Sequence, residues 1–329
     1  MNIEKSTSHI LFSRTFDAQG KAHKVNGKEA STELIREGLT WIHLDANSDF
    51  TKKWLEHEVF YLDHLIIDAL TAEETRPRIA EFDDGLLIIL RAVNLNKNSQ
   101  ADDMVSIRIW IDSERLITVQ RRDSKAVFNV LNRIDLGKVI KNSGELLYGL
   151  LYEILAITAP FLHDLNEKID DLEKKLMISH DAKLREQILE IRFQSTAFKR
   201  YLVPQKDVIA KLLSCNYHWM DEWAQRHFQE NFDMIAHMVE EADEARDRSQ
   251  ILHDELSNAL TSKLNKSMYK LSLISSIFMP LTFLTGLLGM NIGGVPGVGE
   301  SSAFTICVIT MVTLTAMQIL FLKRKDWFK

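Results

Sequence analysis

Residues 271–290 read LSLISSIFMPLTFLTGLLGM, residues 291–300 NIGGVPGVGE, and residues 301–322 SSAFTICVITMVTLTAMQILFL. No Asp, Glu, Lys, Arg or His occurs from Leu271 to Gly299 or from Ser301 to Leu322; only Glu300 interrupts. A helix crosses a hydrocarbon core of about 30 Å with roughly 20 apolar residues. The stretch therefore predicts two transmembrane helices, 271–290 and 303–322, joined by a loop at 291–302. A pair of helices buried in a soluble core is the competing reading. It is disfavoured because all faces of both segments are apolar or small.

Flanking charge orients the spans. Lys263, Lys266 and Lys270 precede the first, and Lys323, Arg324, Lys325 and Lys329 follow the second. The loop holds no Lys or Arg. Cationic flanks stay in the cytoplasm, so both termini are expected inside and the loop outside, as in a multi-pass membrane protein. Trp327 and Phe328 fall at the inner interface as aromatic anchors. Whole-chain averages hide this division. Across 329 residues, 46% are hydrophobic and 26% charged, and the mean hydropathy is −0.12; these values exclude a disordered chain. Two cysteines, Cys215 and Cys307, make no disulfide framework. A net charge of −6 argues against a nucleic-acid partner. Met1-Asn2-Ile3-Glu4-Lys5 lacks the apolar core of a cleaved secretion signal.

Upstream of the spans, short runs rich in Ile, Leu, Val and Trp predict strands at 9–16, 40–44, 85–93, 105–111 and 115–119, with Asp112-Ser113-Glu114-Arg115 as a hairpin turn. Helical patterns lie at 51–58, 62–72 and 124–134. Residues 1–140 thus read as a cytoplasmic α/β domain, a mixed sheet with helices packed on it. Residues 141–220 read as a helical hairpin: Leu162, Leu165, Ile169, Leu172 and Leu176 form a seam, Ile188, Ile191 and Phe198 mark a returning helix, and Pro204 is expected to break or kink it. A stalk helix at 221–270 runs directly into the first span, and 323–329 form a basic cytoplasmic tail. A helix so long, roughly 90 Å at 1.5 Å per residue, calls for neighbouring copies around it.

One face of this helix carries Asp254, Asn258, Thr261, Asn265, Met268, Ser272 or Ser275, Met279, Thr282 and Gly286 at steps near three and a half residues. Polar residues within a bilayer face a bundle interior or a water path. The stripe therefore reads either as the lining of a pore or as small-residue helix packing. With no carboxylate, imidazole or amine on either span, no side-chain ligation that would strip a metal of its water is expected there; a hydrated cation, met by amides and hydroxyls, fits better. Met268, Leu271 and Met279 supply apolar girdles able to close by dewetting. At the outer end, Gly289-Met290-Asn291 precedes a glycine-rich loop that frees the Asn291 amide and nearby carbonyls to meet an ion's water shell.

Gly289-Met290-Asn291, preceded by Ile277-Phe278-Met279-Pro280-Leu281-Thr282-Phe283-Leu284-Thr285-Gly286, resembles the signature of the CorA family of divalent-cation transporters. Two C-terminal spans, the tail Lys323-Arg324-Lys325-Asp326-Trp327, and Arg76-Pro77-Arg78 before Glu81-Phe82-Asp83-Asp84 agree with it. Ile292-Gly293-Gly294-Val295-Pro296-Gly297, residues 199–208 and Trp219-Met220 are similar to the zinc-transporter (ZntB) branch rather than the magnesium branch.

The resemblance implies a CorA-like homopentameric funnel in a lipid bilayer, without a cofactor, that takes up Zn2+ with proton linkage. Mg2+, Co2+, Ni2+ or Cd2+ would be the ion in the alternative reading. It implies Gly289, Met290 and Asn291 as the selectivity motif, with a hydrated ion at Asn291. The pore would be lined by Asn265, Met268, Leu271, Ser275, Met279, Thr282 and Gly286. Asp254 matches an acidic position at the cytoplasmic mouth, and Glu230 lies near a sensor position of the magnesium branch.

If protons are carried, His227, His237, His253, Glu230 and Asp254 are the nearest titratable groups; each also reads as an ordinary solvated helix residue. Glu300 in five copies would make an outer anionic ring. Glu240, Glu241, Asp243, Glu244 and Asp247 read either as a solvated face paired with Arg246 and Arg248 or as a cation-concentrating patch. Cys215 and His218 alone make a weak metal pair. No nucleophile elbow, zincin motif or Walker sequence occurs, so an enzyme or an ATP-driven pump is not expected. A membrane-anchored sensor is the remaining reading from another class, and it leaves the polar stripe without a use.

Overall fold

The computed structural model describes residues 9–26, 29–73, 76–97, 99, 103–290, 292, 293, 295, 297 and 299–325. The chain divides into two compact units, Met1–His253 and Asp254–Lys329. Seven strands organise the first: β1 (Ile10–Phe16), β2 (Ala22–Lys24), β3 (Thr40–Asp45), β4 (Arg78–Phe82), β5 (Gly85–Ala92), β6 (Val105–Ile111) and β7 (Arg115–Gln120). Their order is β2-β1-β3-β7-β6-β5-β4. β3 and β7 run parallel, and the other neighbours are antiparallel. The helices are α1 (Ala30–Glu33), α2 (Asp49–Glu58), α3 (His64–Thr71), α4 (Lys125–Asp135), α5 (Ser143–Ile178), α6 (Leu184–Ser214), α7 (Glu222–Leu288) and α8 (Ala303–Arg324).

Local chemistry sets these boundaries. Asp112 Oδ1 accepts the N–H groups of Glu114 and Arg115 and closes the β6–β7 hairpin. The side chains of Ser48, Asp63 and Asn142 accept backbone N–H groups at the starts of α2, α3 and α5. One sheet face meets α2 and α3, whose Leu55, Val59, Ile66, Ile67 and Leu70 share a core with Ile42, Leu44, Trp110, Ile117 and Val119. α5 and α6 pack on the sheet as well, and α4 packs on α5. A strand covered on both faces has no polar side, which is why β5 is buried without alternation from Gly85 to Leu90. The mixed sheet with packed helices is as the sequence predicts; the short elements β2, β4 and α1 are additional.

Three helices among the described residues are long and apolar enough to cross a membrane: α5, α7 and α8. Over half of the α5 apolar window, 56%, is buried within the protein, whereas none of the corresponding windows of α7 and α8 is. The first half of α5 is therefore core, with Leu146, Leu147, Leu150, Leu151, Ile154 and Leu155 fully buried. Its second half pairs with α6 along the predicted seam. Of the two sequence expectations for Pro204, a break or a kink, the break does not occur: α6 continues through it to Ser214. An interior proline costs about 3 kcal/mol. Burial of Phe198 and Leu202 before it, and of Val208, Ile209 and Leu212 after it, offsets that cost.

β1 is tied to the end of α4 by Arg14, which is nearly buried and donates from Nε and Nη2 to Asp135 Oδ1 and Oδ2 at 2.8 and 2.7 Å. These donors hold the Asp135 carboxyl below its usual range. A lowered carboxylate pKa contributes stability above the unfolded value near 4, and the contribution is lost as pH falls through the folded value. Asp135→Asn is expected to lower unfolding stability at pH 7 by about 1 kcal/mol, discounted because the carboxylate is 43% exposed. Denaturant melts of both proteins at pH 7 and pH 3 check this: the gap should narrow at the lower pH.

Candidate ion pathway

The second unit consists of α7 beyond His253, a loop and α8. Every residue of α7 from Thr261 to Ser272 is exposed. Beyond it, Leu273, Ile277, Pro280, Leu281 and Leu284 are partly covered. α8 has a matching stripe at Ala303, Cys307, Met311, Leu314, Thr315, Gln318 and Leu322. At about 100° per residue, the centre of the covered α7 stripe lies roughly 180° from that of Met268, Leu271, Ser275, Met279, Thr282 and Gly286. All six of those residues are exposed. So is Asn265.

This uncovered stripe has distinctive chemistry. Thr282 Oγ1 donates to the Phe278 carbonyl at 2.9 Å, so the proton points into the helix and the oxygen lone pairs are left for an outside donor or cation. Gly286 has open space where a Cβ would stand. Met279 is 70% exposed and Met268 62%, flexible thioethers with no neighbour over most of their surface. α7 ends at Leu288, and Gly289 donates its N–H to the Thr285 carbonyl at 2.9 Å. A Cβ on Gly289 would lie 2.8 Å from that same oxygen. Met290 is exposed, and Asn291 lies outside the described residues. Glu300 is exposed and donates its N–H to the Gly297 carbonyl, while its own carbonyl accepts from Ala303 at the start of α8. Gly297, at φ +85°, supplies the left-handed conformation of that turn.

The titratable candidates upstream have varied surroundings. His227 is half-buried, stacked on Trp223 at 3.8 Å between ring centroids and edge-on to Tyr148 at 4.7 Å. Its Nδ1 lies 2.8 Å from the Trp223 carbonyl. The Tyr148 hydroxyl is pushed above its ordinary pKa by burial first and then by the Glu230 charge. His237 lies 3.5 Å from Glu241. His253 is half-buried and Asp254 exposed.

The acidic run is largely paired. Asp243 meets Lys199 of α6 and Arg246, Asp247 meets Arg246, and Arg248 reaches Glu244. Arg248 also bridges to Asp170 and Glu173 of α5 at 2.5 and 2.9 Å. These pairs favour the structural reading of the run. Cys215 is buried with its thiol on the Lys211 carbonyl, and His218 is exposed. No cluster of three or more His, Cys, Asp or Glu fit to hold a metal occurs among the described residues.

Residues 36–324 match the family described as CorA-like Mg2+ transporter protein. The chain belongs to the CorA family. It is 32% identical over 312 residues to "Zinc transport protein ZntB" of Yersinia pseudotuberculosis serotype O:1b (strain IP 31758), covering 93% of this chain and 95% of that protein. It is 28% identical to "Divalent cation transporter CmaX" of Pseudomonas aeruginosa, over 97% of this chain and 96% of the relative. The solved full-length CmaX structure superposes with a TM-score of 0.83 at 27% identity, over 97% of this chain and 98% of that one. The family resemblance and the CorA-like fold read from the sequence are thereby borne out. The protein is a membrane-embedded divalent-cation transporter of the CorA family, not an enzyme.

Gly289 and the small, polar stripe of α7 are legible in the sequence, because each is a pattern of residues close together in the chain; which side of α7 is covered is not. Sequence reasoning did not find the Tyr148–Trp223–His227 group, whose members are 75 or more residues apart from α5 to α7 and carry no spacing motif. Gly289→Ala should displace the end of α7, since its Cβ falls 2.8 Å from the Thr285 oxygen. Transport is expected to fall about tenfold or more, equivalent to at least 1.4 kcal/mol, with assembly retained. Flux assays alongside size-exclusion chromatography check this.

Proposed function

We propose that the protein is a zinc transporter of the inner membrane, assembled as a homopentamer with both termini cytoplasmic. Five α7 helices line its pore with the uncovered stripe. The observation that carries the reading is the opposition of two stripes on α7: the partly covered residues lie on one side, and the small, hydroxyl and thioether residues on the other. An anchor helix in lipid has no need of a second, polar side. The 32% identity to a zinc transport protein over 93% of the chain supports zinc as the ion.

In this reading the ion enters past Glu300 and meets the Asn291 amides while still carrying its first water shell. The spans hold no carboxylate, imidazole or lysine, so nothing there can replace the tightly held waters of a divalent ion with charged ligands. The Thr282 oxygen and the helix-end carbonyls near Gly289 offer acceptors to water hydrogens rather than to the metal. Met268, Leu271 and Met279 form the apolar narrowing. ATP has no binding motif here, so flux follows the membrane potential or a proton gradient. Any proton dependence then resides outside the spans, at His227, His237, His253, Glu230 and Asp254. The second reading, a magnesium, cobalt or nickel channel, is favoured by the description of the matching family model.

Flux into proteoliposomes separates the two. Zn2+ entry well above Mg2+ entry is expected, and Asn291→Ala should reduce it at least tenfold; equal or greater Mg2+ flux overturns the zinc reading. Replacing the five titratable residues together should flatten the pH profile of uptake. A profile identical to that of the unaltered protein would remove them from any proton path.

A further inference from the structure

A cavity of about 700 Å³ opens in the first unit, far in sequence from the spans. Among the described residues, its lining includes six arginines, Arg76, Arg91, Arg108, Arg121, Arg122 and Arg200, against two carboxylates, Glu73 and Asp103. Topology explains their convergence. In the antiparallel register Arg91 of β5 faces Ser106 and Arg108 of β6 faces Val119. Alternation then puts Arg91, Arg108 and Arg121 on one face of three adjacent strands.

Arg108 is the decisive member. It is 1% exposed. Its Nη2 donates to the Ala72 and Glu73 carbonyls at 2.7 and 3.2 Å, but Nε and Nη1 have no acceptor among the described residues. Burial first, then the Arg121 and Arg91 charges, push its pKa down to about 10. Asp103 is engaged by Arg122 at 2.7 Å and by Asn94. A buried charge is tolerated when it is paired, and expensive otherwise. Hydrophobic packing gives no reason to assemble like charges at one end of a sheet.

We propose that this cavity is a binding site for a small phosphorylated anion carrying at least two phosphoryl groups, with Arg108 at its floor. A guanidinium matches a phosphoryl group in geometry and charge, and several together favour a multivalent anion over chloride. The volume lies in the range of small-molecule sites and exceeds the needs of a single monovalent ion. Tyr201 holds the outer wall: Arg91 and Arg200 stand 5.2 and 4.8 Å from its ring centroid, and Arg200 donates to its hydroxyl. The ring thus orders two of the arginines.

The test is calorimetric titration of the full-length protein in detergent with inorganic pyrophosphate, in metal-free buffer of low ionic strength. Saturable binding is expected, one per subunit, weaker for inorganic phosphate and weakest for chloride. Arg108→Gln should lower the affinity at least tenfold. To separate lost binding from impaired folding at that buried position, Arg76→Gln with Arg200→Gln, both exposed positions, provides the second arm and should lower affinity three- to tenfold. Raising salt should weaken binding. Absence of saturable heat, chloride binding as tight as pyrophosphate, or unchanged affinity in the exposed double variant would each overturn the proposal.

Discussion

A backbone in hydrocarbon has no water to bond, so each of its N–H and C=O groups must find a partner within the chain. That constraint shapes everything after Leu271. It requires helices and excludes charge from both spans. It leaves hydroxyls, thioethers and glycines, with the Cys307 thiol and the Gln318 amide, as the available variety. The hydroxyls themselves obey it: Thr282, Thr310, Thr313 and Thr315 each donate to the carbonyl four residues earlier. Only after that internal demand is met do their oxygens become available to anything else. In the proposed pathway, such oxygens would meet a divalent ion by accepting hydrogen bonds from its waters.

Upstream the opposite regime applies. Charges are plentiful and are used in pairs across helices, as when Arg248 of α7 joins Asp170 and Glu173 of α5. Exposed pairs of this kind contribute little individually. Their role here is to consume the acidic run on α7 as structure. The arginine-lined cavity stands apart, because there the buried Arg108 has no acceptor for Nε and Nη1 among the described residues.

Much of the fold was legible. β5, β6 and β7 announced themselves as apolar runs bounded by Asp and Gly, and the α5–α6 seam by leucines at steps of three and four. β2 and β4 were not legible, since edge strands carry no buried pattern: Ala22, His23 and Lys24 look like any loop. Pro204 misled as a helix break, for a different reason. Its local cost is real, but the burial of its neighbours on both sides outweighs it. The first half of α5 illustrates the same limit, being apolar enough to span a bilayer yet buried within the protein.

The sequence by itself determined that two C-terminal segments are apolar, free of charge and long enough to cross a bilayer, and that a glycine motif ends the first; each is a property of consecutive residues. The tertiary structure decided which side of α7 is covered, that most of the acidic run is paired, and that Arg91, Arg108 and Arg121 meet. Those facts depend on strand register and helix partners, which bring together residues far apart in the chain. A one-residue change of register would send the same arginines to the other face.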